Sequence, residues 1–207
     1  MSLDLWLIYL AAAIGLSLTP GPNGLLSLAH GACFGFRPTV WTVLGGALGF
    51  LILIAVSLAG MGALLASSER AFTIAKWMGA AYLVYLGIRV WRSPAPVITA
   101  VAGAEALEDA RPWRLFAQGL LVAVSNPKAL IFFAAFLPQF IVPGTGFVPQ
   151  LLVLGGTFVV VEIAYELTLA GLAHRIAPWL GRHGRWFNRA AGGTFVGIGA
   201  ALTAASR

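Results

Sequence analysis

SLTPGPNGLLSLAHG, residues 17–31, sets Pro20, Gly21 and Pro22 inside an apolar run that continues on both sides. An interior proline costs a helix about 3 kcal/mol or more, because it removes a backbone donor and crowds the preceding turn. Further along, SNPKALIFFAAFLPQF, residues 125–140, interrupts another apolar run at Asn126 and Pro127. In lipid, irregular backbone is tolerated only inside protein or beside a water-filled cavity. The two stretches therefore point to a membrane fold and to an enclosed polar place within it.

Composition agrees. Of 207 residues 59% are hydrophobic and 10% charged, and mean hydropathy is +0.89. A soluble domain carries about 25% charged residues, so this chain cannot cover a water-facing surface. It reads as an integral membrane protein. The net charge of +6 comes from basic residues scattered between apolar runs, as flanks of membrane helices and not as a nucleic-acid surface. The single cysteine, Cys33, excludes an intrachain disulfide, a CxxC redox pair and a cysteine-rich metal site. The first apolar run is not read as a signal peptide, since Asp4 precedes it where basic residues are expected and further spans follow.

Six runs reach the length a bilayer-crossing helix needs: residues 5–28, 40–65, 72–91, 115–141, 147–173 and 187–204. The polar gap between the third and fourth holds Pro94, Pro96, Glu105, Glu108, Asp109 and Pro112. With the N-terminus outside, nine Lys and Arg fall in inside loops and three outside, the bias expected of cytoplasmic loops. VLGG recurs at 43–46 and 153–156, and GAAYLVYLG (79–87) aligns with AGGTFVGIG (191–199), at offsets of 110 and 112. Three spans per copy make the second copy enter the membrane inverted, the arrangement of many secondary transporters. The expected fold is an all-α membrane protein of six transmembrane helices, built as two inverted three-helix repeats with broken first and fourth helices. Residues 1–92 form the first repeat, 93–114 a cytoplasmic linker and 115–207 the second repeat.

The helix ends made by a break carry partial charges that bind a carboxylate or an ammonium. Thr19, Asn23, Ser125 and Asn126 add neutral hydrogen-bonding groups there. Thr19, Pro20, Gly21, Pro22 and Asn23 from one break, with Asn126, Pro127 and Lys128 from the other, form the expected substrate-binding set, suited to a zwitterion. Lys128 lies well inside its run, so it is expected to bind a substrate carboxylate or to neutralise buried acids. Lys76, near a helix end, reads as snorkelling.

LTPGPNGLLSLAHGACFGFR, LGGALG, KWMGAAYLVYLGIRVWR and QGLLVAVSNPKALIFFAAFLPQF, in this order, resemble the LysE/RhtB superfamily of amino-acid exporters. The resemblance covers almost the whole chain. It implies an amino-acid efflux transporter of the bacterial inner membrane, driven by proton entry, with the lipid bilayer as its surroundings and no nucleic-acid partner. Gly24 stands where many relatives carry a bulkier or polar residue, which leaves the amino acid open.

Glu162 and Glu166 are four apart in the fifth run and so share one helix face. Gly155 and Ala173 extend that face, with Phe158, Val160 and Leu167 expected elsewhere. Two neighbouring carboxylates in low dielectric resist being charged together, and acids within a membrane mark function by default. Glu162 is the first choice for proton coupling. Glu166, nearer the inner end, is the second and is expected to be the wetter. The alternative role is structural, a hydrogen bond or a salt bridge to Lys128. Gly45 and Gly49 form a GxxxG for close helix packing, within or between subunits, so a homo-oligomer stays open. His30, His174 and His183 read as interfacial. An exporter of metal or another inorganic ion, using Glu162, Glu166 and His30, is the alternative function, and a membrane-embedded enzyme ranks lower: no HExxH or GxSxG occurs. No cofactor is expected.

Overall fold

The computed structural model describes residues 1–19, 21–92 and 110–176, with isolated positions from 178 to 197. Pro20, residues 93–109 of the expected linker and nearly all of the sixth expected run lie outside the described residues. The described chain is helical, with no strand. Its elements are α1 (Leu3–Leu18), α2 (Pro22–Phe34), α3 (Phe36–Ser67), α4 (Glu69–Arg92), α5 (Pro112–Val124), α6 (Pro127–Phe136), a 3₁₀ turn (Leu137–Phe140), α7 (Phe147–Gln150), a π turn (Leu151–Gly155) and α8 (Gly156–Gly171).

Two apolar stretches, Phe36–Gly62 and Phe147–Gly171, are long enough to cross a membrane as they stand. The α1–α2 pair, bent by 54°, and the α5–α6 pair, bent by 52° and taken to Phe140, each qualify as one broken span. The first and fourth expected runs are thus the broken ones. The third is helical throughout as α4, about 36 Å of helix at 1.5 Å per residue.

Beside an apolar core, the described residues expose apolar stripes and bury several polar groups. Leu3, Leu7, Ile14 and Leu18 of α1, and Leu44, Leu48, Ile52 and Val56 of α3, are exposed, whereas Ser17, Asn23, Ser27, His30, Asn126, Glu162 and Glu166 are buried. Apolar stripes outward and polar groups inward suit a hydrocarbon solvent, in which every polar group must find its partner inside.

Lipid tails give helices no hydrophobic reason to associate, so contact depends on close packing. The α3–α5 pair is the most extensive helix contact, and glycine makes it possible. A Cβ on Gly45 would lie 1.9 Å from the Phe116 carbonyl oxygen, one on Gly49 2.6 Å from Ala123 Cβ, and one on Gly119 2.0 Å from the Thr42 carbonyl oxygen. The GxxxG of α3 therefore works within the subunit. Gly45→Leu should lose the folded protein: overpacking a close contact costs about 1–3 kcal/mol and occasionally more, and here the obstacle is backbone. Thermal unfolding in detergent would check this, and a midpoint equal to the parent's would count against the packing.

At the other end, Phe132, Phe133, Phe136 and Phe140 pack with Tyr9, Phe50 and Phe158 in one aromatic cluster. Phe158 was expected off the acidic face of α8, but it is buried against Phe50 and Phe133, with ring centroids at 5.4 and 4.9 Å. It sits one turn before Glu162, so the two share a face. The π turn ahead of α8 is held by α1: Tyr9 Oη donates to the Leu154 carbonyl at 2.9 Å, and Trp6 Nε1 donates to Thr157 Oγ1 at 3.1 Å.

Candidate functional site

The first break closes α1 at Thr19. Its backbone N–H bonds Gly15 O and Leu16 O at 3.2 and 3.1 Å, and its hydroxyl donates to Gly15 O at 2.8 Å. Gly21 is the N-cap of α2, with Pro22 in the first turn, a position where a missing N–H costs nothing. The second break turns at Ser125 and Asn126. Asn126 Oδ1 accepts from the backbone N–H of Lys128 at 3.0 Å and of Ala129 at 3.4 Å, capping α6. Such a cap contributes about 1 kcal/mol. Pro127 again occupies the first turn, so this break is set by the asparagine cap as well as by the proline.

The two breaks meet. Asn126 Nδ2 donates to Asn23 Oδ1 at 3.4 Å, and Asn23 Nδ2 reaches the Gly119 carbonyl at 3.5 Å. Lys128 ties them more strongly. Its Nζ donates to Thr19 O at 2.8 Å, a carbonyl that the end of α1 leaves free, and to Leu16 O at 3.1 Å, which also accepts from the Thr19 N–H. The sequence reading had offered a salt bridge to the acids; the ammonium instead caps a helix end that carries partial negative charge. Gly21 makes room for it, since a Cβ there would lie 2.8 Å from Nζ.

Next to this junction stand the acids. Glu162 and Glu166 are both buried. Ser17 Oγ donates to Glu162 Oε2, and Ser27 Oγ donates to Glu166 Oε2 at 3.0 Å. Glu166 Oε1 has no hydrogen-bond partner among the described residues. The expectation that Glu166 would be the wetter of the two is not met: it is 1% exposed and Glu162 6%, because α2 and α3 close over its end of α8. Gly46 permits that closure, since a Cβ there would lie 3.0 Å from Asn23 Nδ2 and 3.6 Å from Glu166 Oε2.

Of the expected site residues, Thr19, Gly21, Asn23, Asn126, Lys128 and Glu162 line one cavity, with Ser17, Gly24, Phe50 and Phe158 completing much of its wall. Glu166 lies one turn further along α8, Pro22 and Pro127 are in the adjoining helix starts, and Pro20 is outside the described residues. The cavity measures about 10 Å³, room for about one water molecule, so the site is closed. Gly24 lies against Tyr165 and Leu169, whose atoms would stand 3.2 and 3.3 Å from a Cβ there.

Two contributors were not singled out from the sequence, and a third was placed elsewhere. Ser17 and Ser27 hold the acids. His30, expected at an interface, is fully buried, with Nδ1 2.7 Å from Thr42 Oγ1. One signal for two of them was available: Asn23, Ser27 and His30 are spaced by four and three, one face of a helix.

With this geometry in place, the similarities become informative. The LysE type translocator family matches residues 14–206. The chain is 37% identical to an uncharacterized membrane protein of Vibrio cholerae over 99% of both chains. It is 35% identical to the homoserine/homoserine lactone efflux protein of Salmonella typhimurium, over 99% of this chain and 98% of that one. A leucine efflux protein of Salmonella typhimurium is 33% identical over 70% of this chain and 68% of its own length. No solved structure matches the chain at a significant level.

Proposed function

The chain belongs to the LysE type translocator family, and from that premise we propose that it exports an amino acid across the bacterial inner membrane in exchange for entering protons. The family and the named relatives are transporters, so the chain is a translocator and not an enzyme. Homoserine and leucine, the amino acids in the relatives' names, are the first substrates to try.

The observation that carries the reading is the meeting of the two breaks under Lys128. A zwitterion needs an acceptor for its ammonium and a donor for its carboxylate. The Leu16 and Thr19 carbonyls, with Glu162 alongside, supply the first. Lys128 supplies the second, assisted by the neutral amides of Asn23 and Asn126. The Lys128 ammonium occupies the carbonyls that a substrate ammonium would take. On this reading an entering amino acid displaces Lys128 onto its own carboxylate, and the empty carrier keeps its buried acceptors paired while it changes sides. That matters in lipid, where each unpaired polar group costs several kcal/mol.

The carrier is read as two inverted halves, 1–92 and 115–207, around a cytoplasmic linker at 93–114, with the N-terminus outside. The Lys and Arg bias and the repeated VLGG support this orientation. Glu162 handles the coupling proton, with Glu166 inward of it on the same face.

Cells loaded with dipeptides of homoserine or of leucine test the function. Expression of the protein should speed the appearance of the free amino acid outside, and Asn126→Leu, which removes the α6 cap and the link to Asn23, should abolish the gain. Equal efflux with and without the protein, for these and the other common amino acids, would sink the proposal.

A further inference from the structure

Beyond the acids the polar face of α2 continues inward. Asn23 touches the second break, Ser27 holds Glu166, and His30 follows one turn on. Facing it on α3 are Gly46 beside Glu166, then Thr42 and Thr39, both buried. The result is a narrow polar seam from the acid pair toward Gly35, where α2 ends and the chain turns into α3.

His30 is the unexplained group in that seam. Its ring is fully buried and leans on Phe34, with centroids 5.4 Å apart. Nδ1 is committed to Thr42, but Nε2 has no hydrogen-bond partner among the described residues. A buried orphan of this kind is costly to keep. A purely structural side chain at this point needs no second nitrogen, whereas a proton carrier does: an imidazole takes a proton on one nitrogen and gives one up from the other.

The groups around it leave few rivals. Among the described residues that α8 brings to this side, Glu166 is the acid, with Tyr165 against Gly24 and the neutral Leu169, Ala170 and Ala173 beyond. From α3 come the neutral Thr39 and Thr42, with Arg37 exposed at its start; from α5 the buried Leu115 and Gly119 are neutral, with Arg111 and Arg114 exposed at its start. His174 and Arg175 after α8 are exposed.

We propose that His30 is the proton station between Glu166 and the Gly35 end of α2, an assignment that rests on the proton-coupled reading above. Glu166 Oε1 and His30 Nε2 both lack a hydrogen-bond partner among the described residues and are not in contact with each other, so a side-chain rotation must first bring them together. The Glu166 O–H bond then breaks as an N–H bond forms on the ring, giving a carboxylate and an imidazolium. The imidazolium then releases the proton on its other nitrogen past Thr42 to water at the inner face. The Glu166 carboxylate takes a proton from Glu162 on its outer side, so one proton has moved inward and no charge accumulates, and rotation of the ring restores the starting tautomer.

Purified protein in vesicles tests this with radiolabelled homoserine and leucine as probes. Two quantities are read: exchange of labelled for unlabelled substrate without a pH difference, and accumulation with proton uptake under an imposed one. His30→Asn keeps a polar atom near the Nδ1 position for Thr42, and His30→Gln one near Nε2; neither carries a proton at working pH. In both, the ratio of proton-driven accumulation to exchange should fall about tenfold or more, short of the 10²–10⁴ that a positioned acid–base group typically contributes. A ratio equal to the parent's in either variant overturns the station. So does a loss of exchange as large as the loss of accumulation, which would make His30 a packing residue. If the parent protein exchanges substrate but moves no protons, the coupled reading itself fails, a result distinguishable from either of those.

Discussion

Lys128→Met should reduce export at least about tenfold while the protein still reaches the membrane. The substitution keeps most of the side chain's apolar length and deletes the ammonium. Thr19 O then loses its donor, whereas Leu16 O keeps the Thr19 backbone N–H. Leaving a buried acceptor unpaired costs about 1–3 kcal/mol, and about 1.4 kcal/mol is a factor of ten in an equilibrium. The chain can recover this only by letting water in or by rewinding the break, and either alters the site. The variant also removes the cation to which a substrate carboxylate would bind. Gly21→Ala is the companion test. Its Cβ would come 2.8 Å from Nζ and push the ammonium aside without deleting it, so the same loss is expected in milder form. Efflux of homoserine or leucine, normalised to membrane abundance, is the measurement. Near-parental efflux by Lys128→Met would reduce Lys128 to a packing residue.

The breaks were legible because proline, glycine and asparagine inside apolar runs have few innocent explanations in lipid. The partner of Lys128 was not. Backbone carbonyls carry no mark in the sequence, and the two that Lys128 caps belong to a helix from the other half of the chain. For the same reason the role of Pro127 was overstated: only the structure shows Asn126 capping α6, with the proline in a position that needs no donor. The acid stripe was readable from its spacing of four, but serine is unremarkable in a membrane helix, so Ser17 gave no warning and Ser27 only the one in its spacing from Asn23 and His30. His30, read as interfacial, lies just past the end of the expected run 5–28. In fact α2 continues to Phe34 and lays that face against α3 and α8. Phe158 was misjudged by treating small residues as the sole markers of the buried face, although aromatic packing fills the space beside Glu162.

Glu162→Gln should separate substrate movement from proton movement. Glutamine keeps the side-chain length and one carbonyl to accept from Ser17 Oγ, so the local packing survives. It cannot bind and release a proton. Glu162 lines the junction cavity together with Lys128, whereas Glu166 is a turn away under Ser27. Entry of substrate charge into the cavity therefore meets Glu162 first, and protonation there can be linked to occupancy. A positioned acid–base group contributes typically 10²–10⁴-fold, so uphill transport should fall by about 10²-fold or more. Exchange of substrate across the membrane should persist at a measurable rate. Glu166→Gln should also impair accumulation, since the proposed proton path runs through Glu166, while leaving the Lys128 side of the cavity in place.

The most direct measurement is accumulation of labelled homoserine or leucine in vesicles holding the parent protein or Glu162→Gln, under an imposed pH difference. The parent should concentrate the amino acid and collapse the pH difference as it does so; Glu162→Gln should only equilibrate it. If Glu162→Gln concentrates the amino acid as well as the parent, the buried carboxylate is structural and the proton-coupled account of this site is wrong.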